Sequence, residues 1–386
     1  MAAYLQLGHN SWNLFEEPDI GRYAGMVLSP VNDSPADVAA GLTRLGDLRP
    51  NLDVILDPQL YNPAVDKGLM DRWSYFPSDF ATANHADAAW WIRRGIEVVE
   101  EGAKLGVNAI CSPALLPRRF EDAYYSLMVE IADATWQEAS IHGLQTLLTA
   151  IVSLSDLANP SRAYAIASVL SRSRCDRIYL TFLNEDVKQQ REPLADPAGL
   201  PTAVHLVKLL SAQMRVHVAF ASHDLVMWKY AGATDISSGK YMNLRRFSPG
   251  RWQEEKGGGQ QAAYWTEGSL LTLLRSADVE RLRRDGWFGD KDLSDNPASG
   301  RIMELIQTGS TKLWVKESWL QYLRWISNAE ASWHGRPDAA EQFLEQSHRL
   351  WGDIVNVRRI LFQDWFNEHG THVKNWLNAV REGSAR

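Results

Sequence analysis

The chain has 386 residues, 45% hydrophobic and 23% charged, enough to bury one large core or two smaller ones. Its formal net charge of -7 excludes indiscriminate coating of nucleic acid, which rests on neutralising phosphates, but leaves room for a local basic groove. No run approaches the roughly 20 apolar residues of a membrane span. The opening MAAYLQLGHNSW lacks the basic and apolar regions of a secretion signal, and two cysteines, Cys111 and Cys175, can build neither a disulfide framework nor a cysteine-rich zinc site. A globular, cytoplasmic chain is the expectation.

After an irregular start, Ala24 to Leu28 (AGMVL) reads as a first buried strand, stopped by Ser29-Pro30 with Asn32 and Asp33 beyond. Ser34-Pro35-Ala36-Asp37 opens a helix, a capping residue followed by proline at the first position. Asn51 to Leu56 is the second strand. Asp57-Pro58 ends it, and the aperiodic, aromatic-rich segment from Gln59 to about Ala86 is a candidate substrate loop. A helix over Asp87 to Leu105 leads to a third strand, Val107 to Cys111, stopped by Ser112-Pro113. Helix Phe120 to His142, strand Leu144 to Val152, helix Ser161 to Ser171 and strand Arg177 to Leu183 follow. Then come helix Thr202 to Gln213, strand Arg215 to Ala221 and a seventh strand at Ala233 to Ser237.

Strands and helices alternating at this spacing predict parallel pairing through right-handed crossovers, and the near-uniform repeat favours a closed (β/α)8 TIM-like barrel. The absence of a glycine-rich phosphate fingerprint after the first strand argues against a dinucleotide-binding sheet. Arg251 to Gln261, with three consecutive glycines, reads as a mobile loop, and Ala262 to Trp265 as the eighth strand. Helices are expected at Ser269 to Arg284, Ser299 to Gln307, Glu317 to Ala331, Pro337 to Leu350 and about Gly352 to Val380. This divides the chain into a barrel over residues 1–295 and a helical C-terminal region over 296–386.

Polar residues that follow barrel strands converge on one mouth. Here these are Ser29 and Asn32, Asp57 with Gln59 and Tyr61, Ser112, Ser153 with Ser155, Asn184 with Glu185, Ser222 with His223, and Asp235 with Ser237. Such a set suits acid-base chemistry on a polar substrate and lacks the clustered ligands of a catalytic metal. Asp57 and Asp235, on the predicted second and seventh strands, would be near neighbours across the seam. Paired carboxylates are what glycosidic cleavage needs, one stabilising charge on the sugar while another group handles water or the leaving group's proton.

The run Ile55-Leu56-Asp57-Pro58-Gln59-Leu60-Tyr61 resembles the strand-end aspartate segment of tRNA-guanine transglycosylases, and Gly232-Ala233-Thr234-Asp235-Ile236-Ser237-Ser238 with Arg245-Arg246-Phe247 resembles their later nucleophile segment. The family's zinc-binding cysteine cluster is absent, and its nucleophile aligns with Ser237, two residues after Asp235. The pattern is similar to DNA-acting relatives of that fold, the DNA deazaguanine transglycosylases and the phage-defence glycosylases that excise a modified base. The resemblance implies a DNA glycosylase that flips a modified nucleotide of phage DNA into the mouth and leaves an abasic site, with Asp57 and Asp235 catalytic and no cofactor.

Under that reading Ser29, Asn32, Gln59, Tyr61, Asn184, Glu185, His223 and Ser237 bind the substrate unit. Tyr61, Trp73 and Tyr75 supply aromatic contacts, and Lys240, Arg245, Arg246 and Arg251 clamp phosphates of the DNA partner. The alternatives are a base-exchanging transglycosylase, a non-catalytic nucleic-acid-binding barrel, and a hydrolase of small sugars.

Overall fold

A computed structural model describes residues 3–185, 191–253, 262–289, 295–310 and 313–385. Eight parallel strands close on themselves: β1 (Ala3–Gln6), β2 (Gly25–Leu28), β3 (Asp53–Leu56), β4 (Ala109–Cys111), β5 (Gln145–Ser153), β6 (Arg177–Leu183), β7 (Arg215–Val218) and β8 (Asp235–Ser238). Each pairs with its neighbours in sequence, and Tyr4 opposite Ser237 closes the ring. The crossovers carry α1 (Pro35–Arg44), α2 (Ala88–Leu105), α3 (Asp122–Ile141), α4 (Arg162–Leu170), α5 (Leu200–Ser211) and α6 (Leu225–Tyr230), with short 3-10 turns alone between β1 and β2. The chain is therefore a (β/α)8 TIM barrel with a helical C-terminal region.

Local chemistry accounts for the helix ends. At the start of α1, Ser34 Oγ accepts from the Asp37 amide while the Asp37 carboxylate accepts from the Ser34 amide, with Pro35 at the first helical position. Asp87 Oδ1 caps α2 by accepting from the Trp90 amide at 3.1 Å, and Gly106, at φ +67°, ends it in the left-handed conformation. Three strands end as the sequence indicates: Pro30, Pro58 and Pro113 follow β2, β3 and β4 within two residues.

The closure differs from the expectation. The first strand is β1, inside the stretch taken as irregular; its apolar run is broken by Gln6, which points into the barrel toward Tyr179, and every later strand moves up by one. The segment expected as the eighth strand belongs instead to a separate antiparallel pair, β9 (Trp265–Glu267) with β10 (Thr272–Leu274). That hairpin also occupies the front of the helix expected from Ser269, leaving α7 as Ser276–Arg284. Of the loop expected over Arg251 to Gln261, residues 254–261 lie outside the described residues.

Beyond α7 come α8 (Pro297–Gln307), α9 (Val315–Trp333), α10 (Pro337–Gly352) and α11 (Thr371–Ala385). The single helix expected from Gly352 to Val380 is interrupted: a π-helical turn at Asp353–Arg358 ends on Arg359 at φ +55°, and bends and a 3-10 turn at Trp365–Asn367 precede α11. These helices lie against the barrel. α9 packs on β1, β8 and α6, α11 on α5 and α6, and one continuous hydrophobic core runs from Ala3 to Val380. Among the described residues no helix is long and apolar enough to cross a membrane.

Candidate active site at the barrel mouth

Alternation along a barrel strand turns Asp53, Ile55 and Asp57 inward, with Asp53 at the floor and Asp57 at the mouth. Asp57 is fully enclosed, and its two oxygens are separately held: Oδ1 accepts from the Gln59 amide at 3.0 Å, Oδ2 from the Tyr61 hydroxyl at 3.0 Å. Burial pushes its pKa up to about 7, against the pull of those two donors and of the nearby Arg251 guanidinium. Gln59 reaches this position in the left-handed region, at φ +55°, a conformation that costs a side-chain-bearing residue about 1–2 kcal/mol. Its amide oxygen accepts from Ser29 Oγ at 3.2 Å and faces the Val31 amide, while its Nε2 is buried without a partner.

Ser29 joins the two sides of the mouth. Its hydroxyl accepts from Asn32 Nδ2 at 2.6 Å and from Arg251 Nη2 at 3.1 Å. Arg251 arrives on a strap, residues 247–252, whose Phe247 and Trp252 rings lie 5.2 and 4.9 Å from the Tyr61 ring. Asn62 Nδ2 ties the strap down by donating to the Trp252 carbonyl at 3.0 Å. The carboxyl group therefore sits under an aromatic roof with one guanidinium beside it. Below it the barrel interior is polar: Gln6 Nε2 donates to the Tyr179 hydroxyl at 3.4 Å, and His217 lies between the Tyr4 and Tyr179 rings, kept neutral by burial.

The structure does not bring Asp235 to this site. Asp235 is the first residue of β8, on the floor layer, where it meets Arg215 at 3.3 Å and Arg177 at 3.8 Å; Arg177 also binds Asp53 at 3.1 Å. Asp57 stands four residues above Asp53 on the same strand, about 13 Å at 3.3 Å per residue. The expected pairing of Asp57 with Asp235 is corrected by that separation. Ser237 lies one inward layer above Asp235, its buried hydroxyl beside the Tyr179 phenol.

The four cations expected to clamp phosphates lie inside the fold. Lys240, Arg245, Arg246 and Arg251 are 3, 5, 7 and 7% exposed, so they form no rim on the surface. Lys240 donates to the Asn10 carbonyl at 2.7 Å and lies over the Trp319 ring, and Arg245 donates to the Gly239 and Lys240 carbonyls. Trp73 and Tyr75, expected as contacts for a flipped base, are buried under the long loop after β3. Glu185 closes a small group with Ser153 and Ser155, both at 3.3 Å, and Asn184 lines an outer groove beside Trp365. His223 and Ser222 line a separate pocket between the ends of β6, β7 and β8.

One carboxyl group was passed over. Asp33, after β2, is 7% exposed, and burial lifts its pKa to about 6 while the Trp12 indole N–H beside it and Lys240 draw it down. The signal was an acid within five residues of a strand end, although Asp33 follows its strand-ending proline where Asp57 precedes its own. Two mouth carboxyls that titrate near neutrality can exchange protons with a bound molecule. Among the described residues no three His, Cys, Asp or Glu side chains are grouped to hold a metal ion.

Fold and site together define a TIM barrel with a buried acid at its mouth. No family model matches the chain, and no curated protein does. Solved structures that match are an AP endonuclease, family 2, from Brucella melitensis (11% identity over 64% of this chain and 93% of that one, TM-score 0.36) and an L-ribulose 3-epimerase (14%, 67% and 89%, TM-score 0.35). A D-psicose 3-epimerase solved in the presence of D-fructose matches at 10% identity, 67% and 93% coverage and a TM-score of 0.36. Likeness at this level carries no inference about chemistry. The expected membership of the transglycosylase-like superfamily is overturned: no family model supports it, and these matches are endonuclease and epimerase barrels.

Proposed function

We propose that the chain is an enzyme that hydrolyses the glycosidic bond of a modified base in DNA, with Asp57 as the proton-transferring group. The observation that carries the reading is Asp57 itself: a strand-end carboxyl, wholly buried under aromatic rings, held by Tyr61 and Gln59 and titrating at about 7. An acid of that strength is substantially protonated at neutral pH, which suits donation to a departing base better than a fixed negative charge would. As the bond between sugar carbon and base nitrogen breaks, Asp57 gives its proton to the base. Water adds its oxygen to the sugar carbon and returns a proton to the carboxylate.

The Phe247 and Trp252 rings pack edge-on and tilted against Tyr61, so the surroundings of Asp57 are aromatic, in keeping with a planar, apolar-faced leaving group. The test is release of free base, and of alkali-labile sites, from oligodeoxynucleotides carrying different base modifications. Asp57→Asn keeps the shape and removes the acid, so at least about a hundredfold loss is expected with the fold retained. Undiminished release by that variant would sink the assignment.

A further inference from the structure

The pocket at the ends of β6, β7 and β8 lies directly behind the strap. Phe247 lines it and also meets Tyr61, whose hydroxyl holds Asp57, so the Phe247 and Tyr61 rings stand between the pocket and the acid. Ser222, His223, Met242, Arg245 and Arg246 line it too. The empty space is about 610 Å³ counted to its open side, of which only about 30 Å³ can take the centre of a water molecule. That is room for a compact oxygen-bearing group. Met242 also lines it, and its unbranched thioether adapts readily.

The charges in the pocket do not balance. Arg246 faces Asp224 and Glu192, but Arg245 meets no carboxylate among the described residues. Its Nε and Nη2 donate to the Gly239 and Lys240 carbonyls, its plane lies 3.4 Å over the Tyr322 ring, and Nη1 reaches only the Met242 sulfur at 3.8 Å. A buried guanidinium without a counter-charge is costly, which an arriving anion would relieve. His223, 4% exposed and kept neutral by burial, leaves Nε2 without a partner in the same wall. An orphan imidazole nitrogen beside an uncompensated guanidinium is a donor pair for anion oxygens.

We propose that this pocket is the subsite for a phosphate group of the substrate, bound by Arg245 and His223 while the adjacent sugar reaches Asp57. The inference rests on the reading of Asp57 given above and narrows its substrate to a phosphate-bearing unit. The phosphate is a monoester if the substrate is a free nucleotide and a diester if it is a strand. Calorimetric titration of the full chain with inorganic phosphate, a 5'-phosphorylated deoxynucleotide, the matching nucleoside and a short oligodeoxynucleotide tests it.

Phosphate should bind saturably, and the nucleoside at least tenfold more weakly than its phosphorylated form. Tighter binding of the mononucleotide than of the oligonucleotide would mark the monoester as the ligand, and the reverse order the diester. Arg245→Gln should weaken phosphate binding at least tenfold, whereas Asp57→Asn should leave it unchanged and lose only cleavage. Should Arg245→Gln fail to fold, His223→Gln and the phosphate-induced shift of the His223 ring nitrogens in the unaltered chain give the same answer. No saturable phosphate binding, unchanged affinity in a folded Arg245→Gln, or no response of His223 would each overturn the subsite. Phosphate binding without cleavage of any substrate would leave the subsite standing and remove the reading of Asp57.

Discussion

Asp57 links chemistry and stability in opposite directions. Its pKa in the folded chain, about 7, stands well above the ordinary aspartate value of 3.8, a difference of roughly 4 kcal/mol between the protonation states. Because the folded value is raised, this stabilising contribution is complete below about pH 4 and is lost as pH rises through about 7. Asp57→Asn cannot ionise, so its melting temperature relative to the parent should climb between pH 5 and pH 8 while activity is absent at both. Thermal unfolding across that range checks this, and a pH-independent difference would mean that Asp57 is not a buried neutral acid. In the parent, cleavage should decline as the acid ionises above about pH 7. The sequence made this residue visible, since an acid between a buried run and a proline has few places to go but a strand end. It could not show the partners: Arg251 lies almost two hundred positions away, and a surface arginine and a buried one look alike in a sequence.

At the scale of elements, the barrel strands divide into two polar layers with different work. The floor layer gathers the first residues of β3, β6, β7 and β8, namely Asp53, Arg177, Arg215 and Asp235, with Tyr4 of β1 donating to Asp53 at 2.8 Å. Residues at the amino end of a barrel act on stability and those at the carboxyl end on chemistry. Arg177→Met should therefore destabilise the chain by about 3–5 kcal/mol, because it leaves two floor carboxylates facing each other without their shared, 2% exposed cation. Asp235→Asn should cleave substrate at the parent's rate. Urea unfolding measures the first and base release the second, and a dead but folded Asp235→Asn would return that residue to the mechanism. The strand pattern was legible because seven of the eight strands are buried runs ended by turn residues. The strand bounds were not: the pattern puts the seventh strand over Ala233 to Ser237 with Asp235 toward the mouth, whereas β8 begins at Asp235, which sets that residue on the floor.

At the scale of the molecule, the helical C-terminal region belongs to the barrel's core. The sequence marked its beginning near residue 295 from a change of pattern, but helix periodicity cannot tell an appended domain from the outer wall of a barrel. α9 supplies Tyr322, whose ring carries Arg245 and whose hydroxyl lies 2.8 Å from Ser238 Oγ, and Glu330, which pairs with Lys229 of α6 at 2.7 Å where both are buried. The region also buries Leu320, Leu323, Ile326, Trp333, Val373, Trp376, Leu377 and Val380 in the common core. At about 1.5–3 kcal/mol for each such side chain the total is roughly 12–24 kcal/mol. Even if half of that burial is among the region's own helices, the remainder matches the net stability of a whole domain, about 5–15 kcal/mol. Removing Glu330 further strands a buried ammonium. A chain ending at residue 295 should therefore fail to fold into a soluble monomer, and co-expressing residues 296–386 should recover it in part. Circular dichroism and size-exclusion chromatography give the result, and a cooperative thermal transition in the shortened chain would show that the barrel stands alone. In the joined chain, Tyr322→Leu removes the ring beneath Arg245 and leaves a small cavity, a loss of about 1–3 kcal/mol that the whole domain survives. It should weaken phosphate binding in a chain that still folds, which would separate what the region does for the site from what it does for the core.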